Sequence, residues 1–144
     1  MGEKSFRYLE EHTADVAFEA YGKDLNEAFS NAAKAMFNVM TDISRVEKKI
    51  TKKVSVRDED LRGLLKKWLE ELLFLFDAEG IVFSDFKVEI KKENEEWVLT
   101  GEAYGEPFDP DKHSSHLEVK AVSYHMMEIG EKDGEKFVRV ILDI

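Results

Sequence analysis

The chain contains no cysteine. That excludes a disulfide framework, a thiolate metal centre and a cysteine nucleophile. It has only two prolines, both in the stretch GEPFDPDKHSSH, and no Pro-, Gly- or Ser-rich tract or internal repeat at which to divide it. One domain spanning residues 1–144 is the expectation, long enough to bury roughly two-thirds of its unfolded surface around a single core. Long apolar runs are missing too. No stretch approaches the ~18 residues of a membrane span, and the opening MGEKSFRYLEEH has no signal-like apolar region. Phe6 stands where a myristoylation signal needs Ser or Thr. A cytoplasmic protein without membrane contact is expected. Basic charge is also in short supply, with 21 Lys and Arg against 31 Asp and Glu, a net charge of −10. Phosphate backbones repel such a surface, so no direct nucleic-acid binding is expected. There is no Gly-rich phosphate loop, GxSxG or HExxH. Glutamine is absent while Lys and Glu abound, a bias of hyperthermophile proteins that says nothing about function.

Two strong helical patterns are present. In DLNEAFSNAAKAMFNVM, Leu25, Ala28, Phe29, Ala32, Ala33, Met36, Phe37 and Met40 recur at i, i+3, i+4, i+7. Asp24 can cap its start, with Glu27 in capping-box position. DEDLRGLLKKWLEELLFLF repeats the pattern from Leu61 to Phe76, with acids at its positive end and Gly80 beyond its stop. Seven segments read as strands: SFRYLEE, DVAFEAYG, RVEKKITKKVSVR, IVFSDFKVEIKK, EEWVLTGEAYG, LEVKAVSYHMMEI and KFVRVILDI. KENEE (92–96) and the Asp133-Gly134 region read as hairpin turns. The expected fold is α+β: a two-layer domain, a mainly antiparallel or mixed sheet of about seven strands with two amphipathic helices on one face. Their Met and Phe residues read as core.

Four places invite chemistry. HTAD, His12 to Asp15, breaks two strand-like segments and reads either as an Asx- or ST-type turn or as part of a site. The loop 105–116 carries His113 and His116 at a spacing that serves one ligand only if the chain folds back. A surface loop is the plainer expectation. Lys120 and His125 interrupt an apolar strand. Lys120 reads equally as a snorkelling margin residue or as an anion-orienting cation, and His125 as a hydrogen-bonded, half-buried ring. Finally, RVILDI ends on Asp143 and Ile144. Arg139, four residues back on the same strand face, offers a structural screen for Asp143. Two uncompensated carboxylates repel, however, and a hard divalent cation (Ca²⁺, Mg²⁺ or Mn²⁺) relieves that repulsion through oxygen ligands. A pair is too few, and Asp15 is the candidate third acid.

HTADVAFEAYGKDLNEAFSNAAKAMFNVMTD, a following Trp-bearing helix, GEPFDPDKHSSHLEVKAVSYHMMEI and the final VRVILDI, together and in this order, resemble the archease family from about Phe6 to Ile144. The resemblance implies a non-catalytic partner of the RNA-splicing ligase RtcB. Such a partner promotes guanylylation of the ligase's active-site histidine from GTP and Mn²⁺, restores its turnover, can broaden its nucleotide use, and meets tRNA only indirectly. It also implies that Asp15 and Asp143 are the metal-binding acids, with Ile144 supplying a terminal oxygen and Lys120 supporting the site. Ser123 stands where relatives commonly carry Thr. A role as chaperone or specificity modulator of a tRNA methyltransferase is the alternative. A metal-dependent hydrolase, with His12 as base, is a third reading of different class.

Overall fold

The structure is a computed structural model that describes residues 5–9 and 15–144. In chain order its elements are β1 (Phe6–Leu9), β2 (Asp15–Gly22), α1 (Leu25–Met40), a short 3-10 turn (Ile43–Arg45), β3 (Ile50–Asp58), α2 (Leu61–Glu79), β4 (Ile81–Glu93), β5 (Glu96–Pro107), β6 (Ala121–Lys132) and β7 (Glu135–Asp143). The expected α+β architecture of two helices and seven strands is present among the described residues. The strands are shared between two antiparallel sheets rather than forming one, in the orders β1-β2-β7-β6 and β3-β5-β4.

Each helix touches both sheets: α1 packs on β2, β7 and β4, and α2 on β6, β3 and β5. This arrangement explains the width of the α1 stripe. A helix meeting two sheets must be apolar over more than one narrow face, and Ala28, Ala32, Ala33 and Ala35, all fully buried, let both approach closely. The Asp24 carboxylate accepts from the Glu27 N–H at 2.9 Å, and Glu27 accepts from the Lys23 N–H at 2.7 Å, one residue earlier than a capping box would have it. α2 starts on Asp60 and stops at Gly80, whose φ of 70° gives the left-handed cap that glycine takes without strain.

Trp68 anchors the core, donating its indole N–H to the Phe29 carbonyl at 3.0 Å. Gly101 on β5 lets the ring lie against the sheet, because a Cβ there would fall 2.8 Å from Trp68. The lysines of β3 belong to an edge strand, where they discourage pairing with another chain. Lys52 meets Glu79 at 2.9 Å.

Candidate functional site

β2 and β7 are neighbours in the four-stranded sheet, and their ladder runs unbroken from Gly22↔Lys136 to Asp15↔Asp143. On the other side of β7, Ala121 of β6 is also opposite Asp143. Directly opposed residues project from the same face with Cβ atoms roughly 5 Å apart, so Asp15 and Asp143 stand side by side. Asp15 is half-buried, Asp143 exposed and Ile144 half-buried. The Lys120 N–H donates to the Asp143 carbonyl at 2.7 Å. That carbonyl is therefore occupied, while the Lys120 side chain remains exposed just before β6 begins.

Arg139 does not serve as the screen for Asp143 that the sequence suggested. Its guanidinium reaches Glu19 at 3.0 and 3.3 Å. Glu19 also accepts from Arg7 at 3.1 Å and from the Tyr21 hydroxyl at 2.8 Å. Burial pushes the Glu19 carboxyl up, but Tyr21, Arg139 and Arg7 outweigh it and hold the group below its ordinary value. Arg139 is thus committed to Glu19, four residues before Asp143.

Two carboxylates, with terminal oxygens beside them, suit a hard divalent cation in donor type. They are fewer than a full shell, and among the described residues no cluster of three His, Asp or Glu side chains surrounds a point. Water or a partner's oxygens would have to complete the coordination. His12 lies outside the described residues.

The loop after β5 differs from the surface loop expected. His113 is 2% exposed and Glu106 4%. The Asp109 N–H donates to His113 Nδ1 at 2.9 Å, so that nitrogen is the acceptor and Nε2 carries the proton it gives to Glu106 Oε2 at 3.0 Å. Lys112 lies 2.7 Å from the same oxygen, and the Glu47 N–H donates to it at 2.7 Å. Burial raises the Glu106 carboxyl, yet these donors hold it at about 2. His116 instead meets the Ser114 hydroxyl at 2.9 Å, so the two histidines share no ligand. His125 is exposed rather than half-buried. It sits in a bulge where residues 124–127 of β6 oppose a single position of β7 and Met126 takes a φ of 56°. The Glu106 node escaped the sequence reading because nothing in GEPFDPDKH marks one acid as buried.

Comparison with known proteins bears on the family and the fold. Residues 6–144 match the archease protein family (MTH1598/TM1083). The protein archease of Methanothermobacter thermautotrophicus is 50% identical, over 98% of this chain and 99% of its own. That of Pyrococcus furiosus is 47% identical, over 93% and 95%. The solution structure of Methanobacterium thermoautotrophicum protein 1598 superposes with a TM-score of 0.86 at 49% identity, covering 97% of this chain and 99% of that one. The crystal structure of a Thermotoga maritima archease, described as a possible chaperone, shares the fold at a TM-score of 0.59 and 20% identity, covering 96% and 97%. With a family match along nearly all its length and close relatives covering it end to end, this chain belongs to the archease family.

Proposed function

We propose that this protein is a non-catalytic, cation-bearing activator of an RtcB-type RNA ligase, promoting guanylylation of the ligase's active-site histidine and its turnover. The observation that carries the reading is the Asp15↔Asp143 pairing, with Arg139 committed to Glu19 rather than to either acid. Asp15, Asp143 and a terminal oxygen of Ile144 hold one divalent cation (Ca²⁺, Mg²⁺ or Mn²⁺), and the incomplete shell leaves positions open to a partner's oxygens. Lys120 holds the Asp143 carbonyl through its N–H, and its exposed side chain supports the site. A net charge of −10 favours encounter with a basic, nucleotide-binding protein over contact with tRNA itself. The test is formation of ligase–GMP under limiting GTP. Added protein is expected to speed it and Asp143→Ala to abolish the gain; equal rates with and without the protein reject the proposal.

The second reading, a chaperone or specificity modulator of a tRNA methyltransferase, draws on the description of the Thermotoga maritima relative. It requires suppression of methyltransferase aggregation that survives replacement of both Asp15 and Asp143. Light scattering separates the two.

A further inference from the structure

The connector between β5 and β6, residues 108–120, crosses the C-terminal ends of both helices, and a groove of about 360 Å³ opens beneath it. Met40, Phe76, Val82 and Phe108 form its apolar floor, with the Phe76 and Phe108 rings edge to face at 6.4 Å. The lip is different in kind. Asp77 of α2 and Glu118 of the connector flank the opening, both exposed and neither with an ion-pair partner among the described residues. Among the described residues no Lys or Arg lines the groove, and its remaining polar lining is Ser115 and His116, whose ring is engaged with the Ser114 hydroxyl. Apolar surface also reaches the lip: Leu117, which lines the groove, is 48% exposed, and Phe74, outside the lining but one helical turn before Asp77, is 57% exposed. An exposed leucine continuous with an apolar cleft marks a surface that a partner can cover.

We propose that this groove docks a short basic segment of a protein partner. One large apolar side chain enters between Phe76 and Phe108, and flanking Lys or Arg residues meet Asp77 and Glu118. Charge complementarity selects that occupant: two unpaired carboxylates at the mouth of an apolar slot reject phosphate and acidic peptides and favour a cationic segment with an apolar anchor. The volume lies near the lower end of the roughly 300–1,000 Å³ typical of ligand pockets, which suits one or two side chains rather than a folded surface. The connector over the groove is the same one whose Lys120 N–H holds Asp143, so a docked segment lies along the backbone leading to the paired acids. The proposal needs neither a bound cation nor a ligase, and its test stands apart from the guanylylation assay.

The test is fluorescence anisotropy of the labelled peptide KKLFKR with the full chain at physiological salt, compared with KKSSKR of equal charge and with EELFEE. KKLFKR is expected to bind at least about tenfold more tightly than KKSSKR, since even one buried apolar side chain is worth more than 1.4 kcal/mol. D77K/E118K is expected to weaken KKLFKR by about tenfold, from two lost rim pairs, and to strengthen EELFEE. E89K/E95K, an equal charge change on the β4–β5 hairpin outside the groove lining, should cost KKLFKR much less. Leu117→Ser, at an exposed lip, repeats the comparison without touching charge and should also weaken KKLFKR. Equal affinity for KKLFKR and KKSSKR, or equal loss in the two charge-reversal variants, reduces the binding to general attraction toward an acidic protein and overturns the proposal. So does a concentration-dependent dimer in sedimentation that disappears in D77K/E118K, because a second copy would then fill the groove.

Discussion

At the scale of single residues, the decisive groups are polar ones placed where water is absent. Glu106 tolerates burial because three donors converge on one of its oxygens and Lys49 lies 3.6 Å from the other. Its folded value of about 2 lies below the ordinary 4.5. The ionised group therefore contributes its full stability above pH 4.5. That contribution is lost as pH falls from 4.5 toward 2, where the unfolded chain takes the proton first. Urea unfolding between pH 6 and 2 is expected to show Glu106→Gln less stable than the wild type at pH 6 and flatter below pH 4.5. Parallel curves would contradict the assignment. Gly101 makes a steric claim instead. Gly101→Ala sets a methyl 2.8 Å from the Trp68 ring, well inside van der Waals contact, and a loss of about 1–3 kcal/mol by denaturant titration is expected for such overpacking.

At the scale of elements, α1 shows how caps and connectors cooperate. Its first turn is closed by Asp24, and Asp24→Ala should cost about 1 kcal/mol in thermal or urea unfolding, with no effect on cation binding. Its last turn has neither a C-terminal glycine nor a basic side chain. The connector supplies what is missing: the His116 and Leu117 N–H groups donate to the Met40 and Val39 carbonyls at 2.9 and 3.1 Å. The stretch 105–116, which reads from sequence as an unconstrained surface loop, is therefore fastened at the Glu106 node and again at the end of α1. The hairpin turns were legible because they rest on local chemistry. Asp133 and Gly134 take φ values of 53° and 81°, the pair of left-handed residues that a two-residue hairpin requires.

At the scale of the whole molecule, the two-sheet partition brings opposite ends of the sequence together. β2 and β7 are separated by more than a hundred residues, yet they pair along eight positions that finish at Asp15↔Asp143. If those two acids share one cation, their contributions are coupled. Calorimetric titration with Ca²⁺ or Mn²⁺ is expected to lose most of its affinity in Asp15→Asn alone or Asp143→Asn alone, with little further loss in the double variant. Additive losses would mean two independent weak sites. The −10 charge also predicts that association with a basic partner slows steeply with ionic strength while its dissociation changes little, a difference that stopped-flow measurement at two salt concentrations resolves.

Periodicity alone pointed to two long helices and about seven strands, the elements found among the described residues. Each stripe is a property of neighbouring residues and reports which side of an element leaves water. The family was legible in the order of HTAD, EVKAVSYH and LDI along the chain, and the same motifs point to Asp15 and Asp143 as the acids of the proposed site. Only the tertiary structure decided that the strands form two sheets, that Arg139 turns to Glu19, that His113 is interior while His125 is exposed, and that Asp15 faces Asp143. These are matters of register and long-range packing. A one-residue slip between β2 and β7 would leave every local pattern intact and put the two carboxylates on opposite faces of the sheet.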